Sequence, residues 1–185
     1  MAEAPRTRDV MLREAARLFA ERGFRGTSVA DLGTACGISG PALYKHFPNK
    51  QAVLARLLVD ISQQLVDGGR AVVAAGGEPH DVLAALVDFH TDFALAEPDV
   101  IRVQDRDLAS LDERDRGVVR RLQRSYVELW TDALCRVDPG LSRDIARLRA
   151  HAVFGLLNST PHSAARSRGE AARQLSDMAL RALLG

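Results

Sequence analysis

The side chains best suited to chemistry in this chain lie between Thr27 and Lys50, in the stretch TSVADLGTACGISGPALYKHFPNK. Tyr44, Lys45, His46 and Lys50 bring hydroxyl, ammonium and imidazole groups close together, donors of the kind that hold phosphate oxygens. Lys45 and Lys50 are also the only lysines in the chain; every other basic residue is arginine. The residues around them set out a scaffold. Ser28 can cap a short helix, with Asp31 at the spacing of a capping box. Val29 and Leu32 give that helix one apolar face. Gly37 supplies a turn, because glycine reaches the left-handed backbone that other residues avoid. Ser39 caps a second helix, and Pro41 falls in its first turn, where a missing N–H costs little. Leu43 and Phe47, four apart, face inward, while Ala42, Tyr44 and His46 face outward. Two short helices about a tight glycine turn suit a helix-turn-helix that lies in the major groove of DNA.

The elements that must position this motif are helices as well. No stretch alternates β-branched and polar residues, and no Asn-Gly or Asp-Gly hairpin turn occurs. Helical periodicity runs through the whole chain instead. Met11, Ala15, Leu18 and Phe19 mark a first helix over 6–22, stopped by Gly23. Asn49 caps a helix over 49–74, in which Gly68 and Gly69 are expected to bend or loosen the backbone. Further helices are expected over 80–96, 98–104, 113–136, 141–159 and 169–184, with 105–117 as a charged loop. Gly76-Gly77-Glu78-Pro79, Asp138-Pro139-Gly140 and Pro161 are the breaks. The fold class is all-α, with about nine helices. It divides into a DNA-binding head over 1–50 and a body over 51–185, joined by the 49–74 helix.

The motif closely resembles the TetR family of bacterial transcriptional regulators. The resemblance rests on Glu21-Arg22-Gly23-Phe24, Thr27-Ser28-Val29, Gly37-Ile38-Ser39 and the run from Ala42 to Lys50. It covers roughly residues 6–55. Gly33 and Cys36 stand where the family usually has alanine. By position, the resemblance implies that Gly40, Pro41 and Ala42 approach base edges, Ala42 or Pro41 meeting thymine methyls. Tyr44, His46 and Lys50 would hold phosphates, Lys45 would add a base or phosphate contact, and Thr27 or Ser28 a phosphate contact at a helix N-terminus. Arg6 and Arg8 could reach the backbone or the minor groove.

For the body, the resemblance implies a small-molecule effector among the central helices and two-fold pairing of the last two helices. The candidate lining residues are polar or aromatic groups on apolar helix faces: His90, Phe93, Gln104, Tyr126, Trp130, His151, Phe154 and Asn158. Arg102, Arg106 and Arg121 could attract an anionic ligand. An acyl-CoA, or another hydrophobic or anionic molecule, is the expected effector. The candidate interface is Leu148, Ala152, Leu156, Leu175, Met178 and Ala179, because these stripes are too apolar for a monomer surface. The expected protein is a homodimeric repressor that binds a palindromic double-stranded operator and is released by its effector.

Composition agrees with this and excludes other classes. Residues 1–50 carry eight Lys/Arg against five Asp/Glu, whereas the remaining residues carry 17 against 19, so the overall charge of +1 hides a basic head. The five histidines show no metal-binding spacing, and neither a Gly-Xaa-Ser-Xaa-Gly elbow nor a glycine-rich phosphate loop occurs. No enzyme activity, catalytic residue, metal or cofactor is expected. Cys36 and Cys135 are far apart and suggest buried thiols rather than a disulfide framework. With no apolar signal core and no run of about 20 apolar residues, a cytoplasmic protein without membrane contact is expected.

Overall fold

The apolar periodicity resolves into eight α-helices among the described residues, with no strand among them. The structure, a computed structural model, describes residues 7–38, 43–160 and 167–185. In chain order the helices are α1 (Thr7–Gly26), α2 (Val29–Ala35), α3 (Lys50–Ala75), α4 (Pro79–Ala96), α5 (Pro98–Asp107), α6 (Glu113–Val137), α7 (Arg143–Leu157) and α8 (Arg168–Leu184). A 3-10 turn over Leu108–Ser110 precedes α6. The cap and first turn expected at Ser39–Ala42 lie outside the described residues, as do Arg6 and Pro161. From Leu43 the chain is turned, the His46 and Phe47 N–H groups both donating to the Leu43 carbonyl, at 2.9 and 3.0 Å.

The helices gather into two compact units, residues 1–61 with 99–119 and residues 62–98 with 120–185. In the first unit the helical path of α1 breaks at Gly23, whose φ of 81° and ψ of 156° suit glycine. Gly37 likewise takes the left-handed turn, at φ 66°, that ends α2. Leu43 and Phe47 are buried with Met11, Phe19 and Leu32, as their spacing requires. The expected loop after residue 104 is shorter than its charge suggests, because α5 continues to Asp107. Burial explains this: the Asp107 carboxylate is only 6% exposed and accepts the Phe24 N–H at 3.2 Å. Arg106 donates to the Phe19 carbonyl and, at 3.3 Å, to that of Ala20.

In the second unit α8 packs along α4 and α7. Gly68 and Gly69 do not interrupt α3, contrary to the expectation from sequence. Their missing side chains leave room for two rings that pack on the helix. A Cβ at Gly68 would stand 2.1 Å from the tip of Phe89, and one at Gly69 would stand 2.8 Å from the Tyr126 ring. The two cysteines are half-buried rather than buried. Among the described residues no helix is long and apolar enough to cross a membrane.

Candidate nucleic-acid interface and effector site

The first unit sorts the motif's polar residues into two groups. One group builds the corner between α1 and α2. Thr27 is 1% exposed, and its hydroxyl donates to the carbonyls of Gly23 and Leu18, at 2.9 and 3.4 Å. That corrects its assignment as a phosphate contact: a buried hydroxyl spent on helix-end carbonyls cannot reach DNA. Lys50, half-buried, also turns to this corner. Its ammonium donates to the carbonyls of Phe24 and Thr27, both at 2.6 Å, and lies 4.4 Å from the centre of the Phe24 ring. An ammonium has three protons, and these three neighbours occupy them. Arg106, bound to Phe19, Ala20 and Asp107, is likewise a corner residue and not a lure for an anionic ligand. Arg8 stacks 5.0 Å over the Phe47 ring.

Ser28 and Asp31 close the capping box read from the sequence. The Ser28 hydroxyl oxygen accepts the Asp31 N–H at 3.1 Å, and the Asp31 carboxylate accepts the Ser28 N–H at 2.8 Å. The Ser28 hydroxyl and backbone bonds hold the Asp31 carboxyl below its ordinary pKa. The Val29 and Ala30 N–H groups, in the first turn, have no acceptor within the helix.

The second group is outward. Tyr44 is 51% exposed, and Lys45 and His46 are exposed beside it. Gly40, Pro41 and Ala42 lie outside the described residues.

In the second unit, six of the expected lining residues converge: His90 and Phe93 from α4, Tyr126 and Trp130 from α6, and Phe154 and Asn158 from α7 and its C-cap. The Phe154 ring centre lies 4.8 Å from that of Trp130, 5.0 Å from that of His90 and 5.5 Å from that of Tyr126. His90 Nδ1 is 3.3 Å from the Tyr126 hydroxyl, and Nε2 is 3.1 Å from Asn158 Oδ1. A neutral ring protonated on Nε2 satisfies both: Tyr126 donates to Nδ1, and Nε2–H donates to Asn158. Burial enforces that state by pushing the His90 pKa down to about 4, an effect partly offset by Asn158. Burial pushes the Tyr126 phenol up, partly offset by the nearby Trp130 indole.

The remaining two candidates are elsewhere. Gln104 belongs to α5 in the first unit. His151 is exposed and lines a groove of about 500 Å³ with Arg120, Arg124, Arg147 and their neighbours. It sits on the outer side of α7, three residues from the inward Phe154.

The interface candidates also divide. Leu175 is 8% exposed and Ala179 is fully buried, so both belong to the chain's own core and not to an open face. Leu148, at 63% exposure, and Met178, at 44%, stand outside with Ala152; Leu156 is half-buried. Ile145, 44% exposed, and Gly155, with open space about it, complete the outward stripe of α7. The helical spacing 145-148-152-155 was there to be read.

Comparison with known proteins places these features. Residues 11–57 match the tetR family of bacterial regulatory proteins, and residues 76–183 match the tetracyclin repressor-like C-terminal domain. The HTH-type transcriptional repressor KstR2 of Rhodococcus jostii is 31% identical over 128 residues, which cover 69% of this chain and 63% of that protein. A TetR-family transcriptional regulator from Bordetella parapertussis superposes with a TM-score of 0.88 at 26% identity, over 98% of this chain and 95% of the other. AibR, solved in complex with isovaleryl coenzyme A and operator DNA, shares the fold, with a TM-score of 0.77 at 20% identity, over 94% of this chain and 97% of that one. With both halves matched, the chain belongs to the TetR family of DNA-binding transcriptional regulators, which are not enzymes.

Proposed function

We propose that this regulator is a homodimeric repressor that binds a palindromic operator and leaves it when a small molecule enters the ring cluster of the second unit. The observation that carries this reading is the His90–Tyr126–Asn158 network, buried at His90 and Tyr126 and half-buried at Asn158, inside four aromatic contacts of His90. Ordinary core packing does not call for a buried polar pair reaching to a half-buried amide in an apolar unit, whereas a binding site needs a few placed polar groups in an apolar wall. Phe93, Phe154 and Asn158 are only half-buried, so the cluster has an accessible edge. The AibR complex makes an acyl-CoA, or a molecule that likewise joins an apolar to an anionic part, the first effector to try. α3 starts in the first unit at Lys50, and its glycine pair lies under Phe89 and Tyr126 in the second. A shift of Tyr126 on effector binding would therefore press on the helix that leads to the DNA-binding motif.

On DNA, Gly40, Pro41 and Ala42 would meet base edges, while Tyr44, Lys45, His46 and the first-turn amides of Val29 and Ala30 would meet phosphates. Lys45→Ala should weaken all sequences alike and make the salt slope shallower by about one unit, with stability unchanged. Lys50→Ala should instead lower stability by about 2 kcal/mol, because two buried-side carbonyls lose a charged donor. Urea titrations and salt-dependent anisotropy separate these effects. A Lys50 variant of native stability with a shallower slope would return that residue to the DNA surface.

The whole reading is tested by footprinting on DNA flanking the protein's own gene, then by anisotropy on the protected site with acyl-CoAs of increasing chain length. An effector should weaken binding by about five- to 150-fold, the range of ordinary allosteric coupling. A protected palindrome that no acyl-CoA or related amphiphile releases would overturn the effector part.

A further inference from the structure

Trp130 carries a polar group that the fold leaves unused. Its side chain is fully buried, and its Nε1–H has no hydrogen-bond acceptor among the described residues. The Tyr126 oxygen is near enough to feel it, but not in hydrogen-bond geometry. Buried N–H groups without an acceptor cost stability and are rare, so such a group at the centre of a ring cluster points to an acceptor that arrives from outside. His90 spends both ring nitrogens on Tyr126 and Asn158, and the Tyr126 oxygen, which keeps a lone pair after donating to His90, does not meet the indole at hydrogen-bond geometry.

The charge of the surroundings narrows the chemistry. The buried polar side chains of this unit, among the described residues, are Ser62, His90, Thr91 and Thr131. None of them carries a formal charge with His90 neutral. Arg143 and Arg147 lie on the exposed side, bound to Glu128, Asp132 and Asp144. Among the described residues, a carboxylate drawn into the buried part of the cluster would therefore lose its water without gaining a cation. A neutral carbonyl loses far less and gains the indole N–H.

Resting on the reading of this cluster as the effector site, we propose that it binds an uncharged apolar group carrying one hydrogen-bond acceptor, a ketone, ester or thioester carbonyl, whose oxygen takes the Trp130 Nε1–H, and that it rejects the free carboxylate of equal chain length. An acyl-CoA satisfies this condition, because its charges lie away from its carbonyl; a fatty acid does not.

Trp130 is the only tryptophan in the chain, so its emission reports occupancy directly. Three small probes test the proposal: 2-octanone, octanoate and 2-methyl-1-octene, the last matching the ketone in shape but lacking its acceptor. At pH 7.5, 2-octanone should change the emission saturably, with octanoate at least tenfold weaker. Calorimetry on Trp130→Phe then removes the donor while keeping an aromatic ring. The several-fold preference of wild type for the ketone over the alkene should fall to about unity, a ratio that general loosening of the site does not produce. Octanoate binding as well as 2-octanone, or a ketone preference that survives Trp130→Phe, would overturn the proposal. Operator release is read separately, with octanoyl-CoA. Release without any change in Trp130 emission would leave the repressor reading standing and remove this site from it. Ketone binding that obeys the predicted order, with no acyl-CoA effect on DNA, would keep the site and remove the effector class.

Discussion

Replacing Leu148 with aspartate is expected to give a folded monomer that no longer holds its operator. In the single chain Leu148 is 63% exposed, so the substitution costs the fold little. Its surroundings are what make it decisive. Ile145, Leu148, Ala152 and Gly155 form one outward stripe on α7, with Met178 exposed on the neighbouring α8. Large apolar groups beside alanine and glycine let two helices approach closely, and a two-fold pairing would place each α7 stripe against its copy. An aspartate there is buried twice per dimer with no partner, which costs several kcal/mol. Because a single head makes few base contacts, loss of the dimer should remove specific binding altogether. Sedimentation equilibrium at micromolar concentration, circular dichroism and operator anisotropy together check this. A dimeric Leu148→Asp protein with unchanged operator affinity would place the interface elsewhere. Leu175→Asp is not an equivalent probe, since Leu175 lies in the core and its variant should unfold the second unit.

The contrast between Leu148 and Leu175 shows where a sequence stops being legible. Both belong to apolar stripes of helical period, and the period says only that a residue faces something apolar. Whether that neighbour belongs to the same chain depends on how α4, α7 and α8 pack, which no local pattern encodes. The motif residues behave differently because their roles are local. Ser28 and Asp31 act across one turn, Gly37 within its own backbone, and Leu43 and Phe47 across one helical repeat, so spacing alone determined them. Lys50 and Thr27 lie in the same motif but turn to the corner between α1 and α2. Their chemistry suits phosphate, yet helix-end carbonyls from residues 18–27 reach them first: Thr27 bonds to Gly23 within one helical turn, while Lys50 meets Phe24 and Thr27 only through the tertiary structure. Gly68 and Gly69 fail for a related reason. Propensity treats glycine as a weak point in a helix, whereas here the missing side chain is room for Phe89 and Tyr126. Of the candidate effector residues, the aromatic ones and His90 were readable because a polar group on an apolar face is conspicuous. His151 has the same type but lies about 60° further round α7 than Phe154, which is enough to leave it exposed.

Acid should destabilise this protein through His90, and the sign follows from its environment. Burial holds the imidazole neutral in the folded state, with a pKa of about 4 in place of the ordinary 6.5. Between those two values the unfolded chain binds a proton that the folded chain refuses, so stability rises with pH across that window. The contribution is complete above pH 6.5 and lost as the pH falls towards 4. At about 1.4 kcal/mol for each tenfold change in proton affinity, the gap is worth about 3 kcal/mol. That is a large part of the stability of an ordinary domain. Protonation would also put a donor on Nδ1, where the Tyr126 hydroxyl now donates, so acid breaks the network as well as charging it. His90→Gln isolates the effect. Glutamine can still bond to polar neighbours but does not titrate, and the carboxylates that dominate general acid unfolding remain in both proteins. Urea unfolding of wild type and His90→Gln at intervals from pH 7.5 to 4 should give stability curves that converge as the pH falls, the variant losing about 3 kcal/mol less. Parallel curves would mean that His90 takes up its proton in the folded state as readily as in the unfolded one. The cluster around it would then admit water and bear charge, and its exclusion of carboxylates would lose its physical basis.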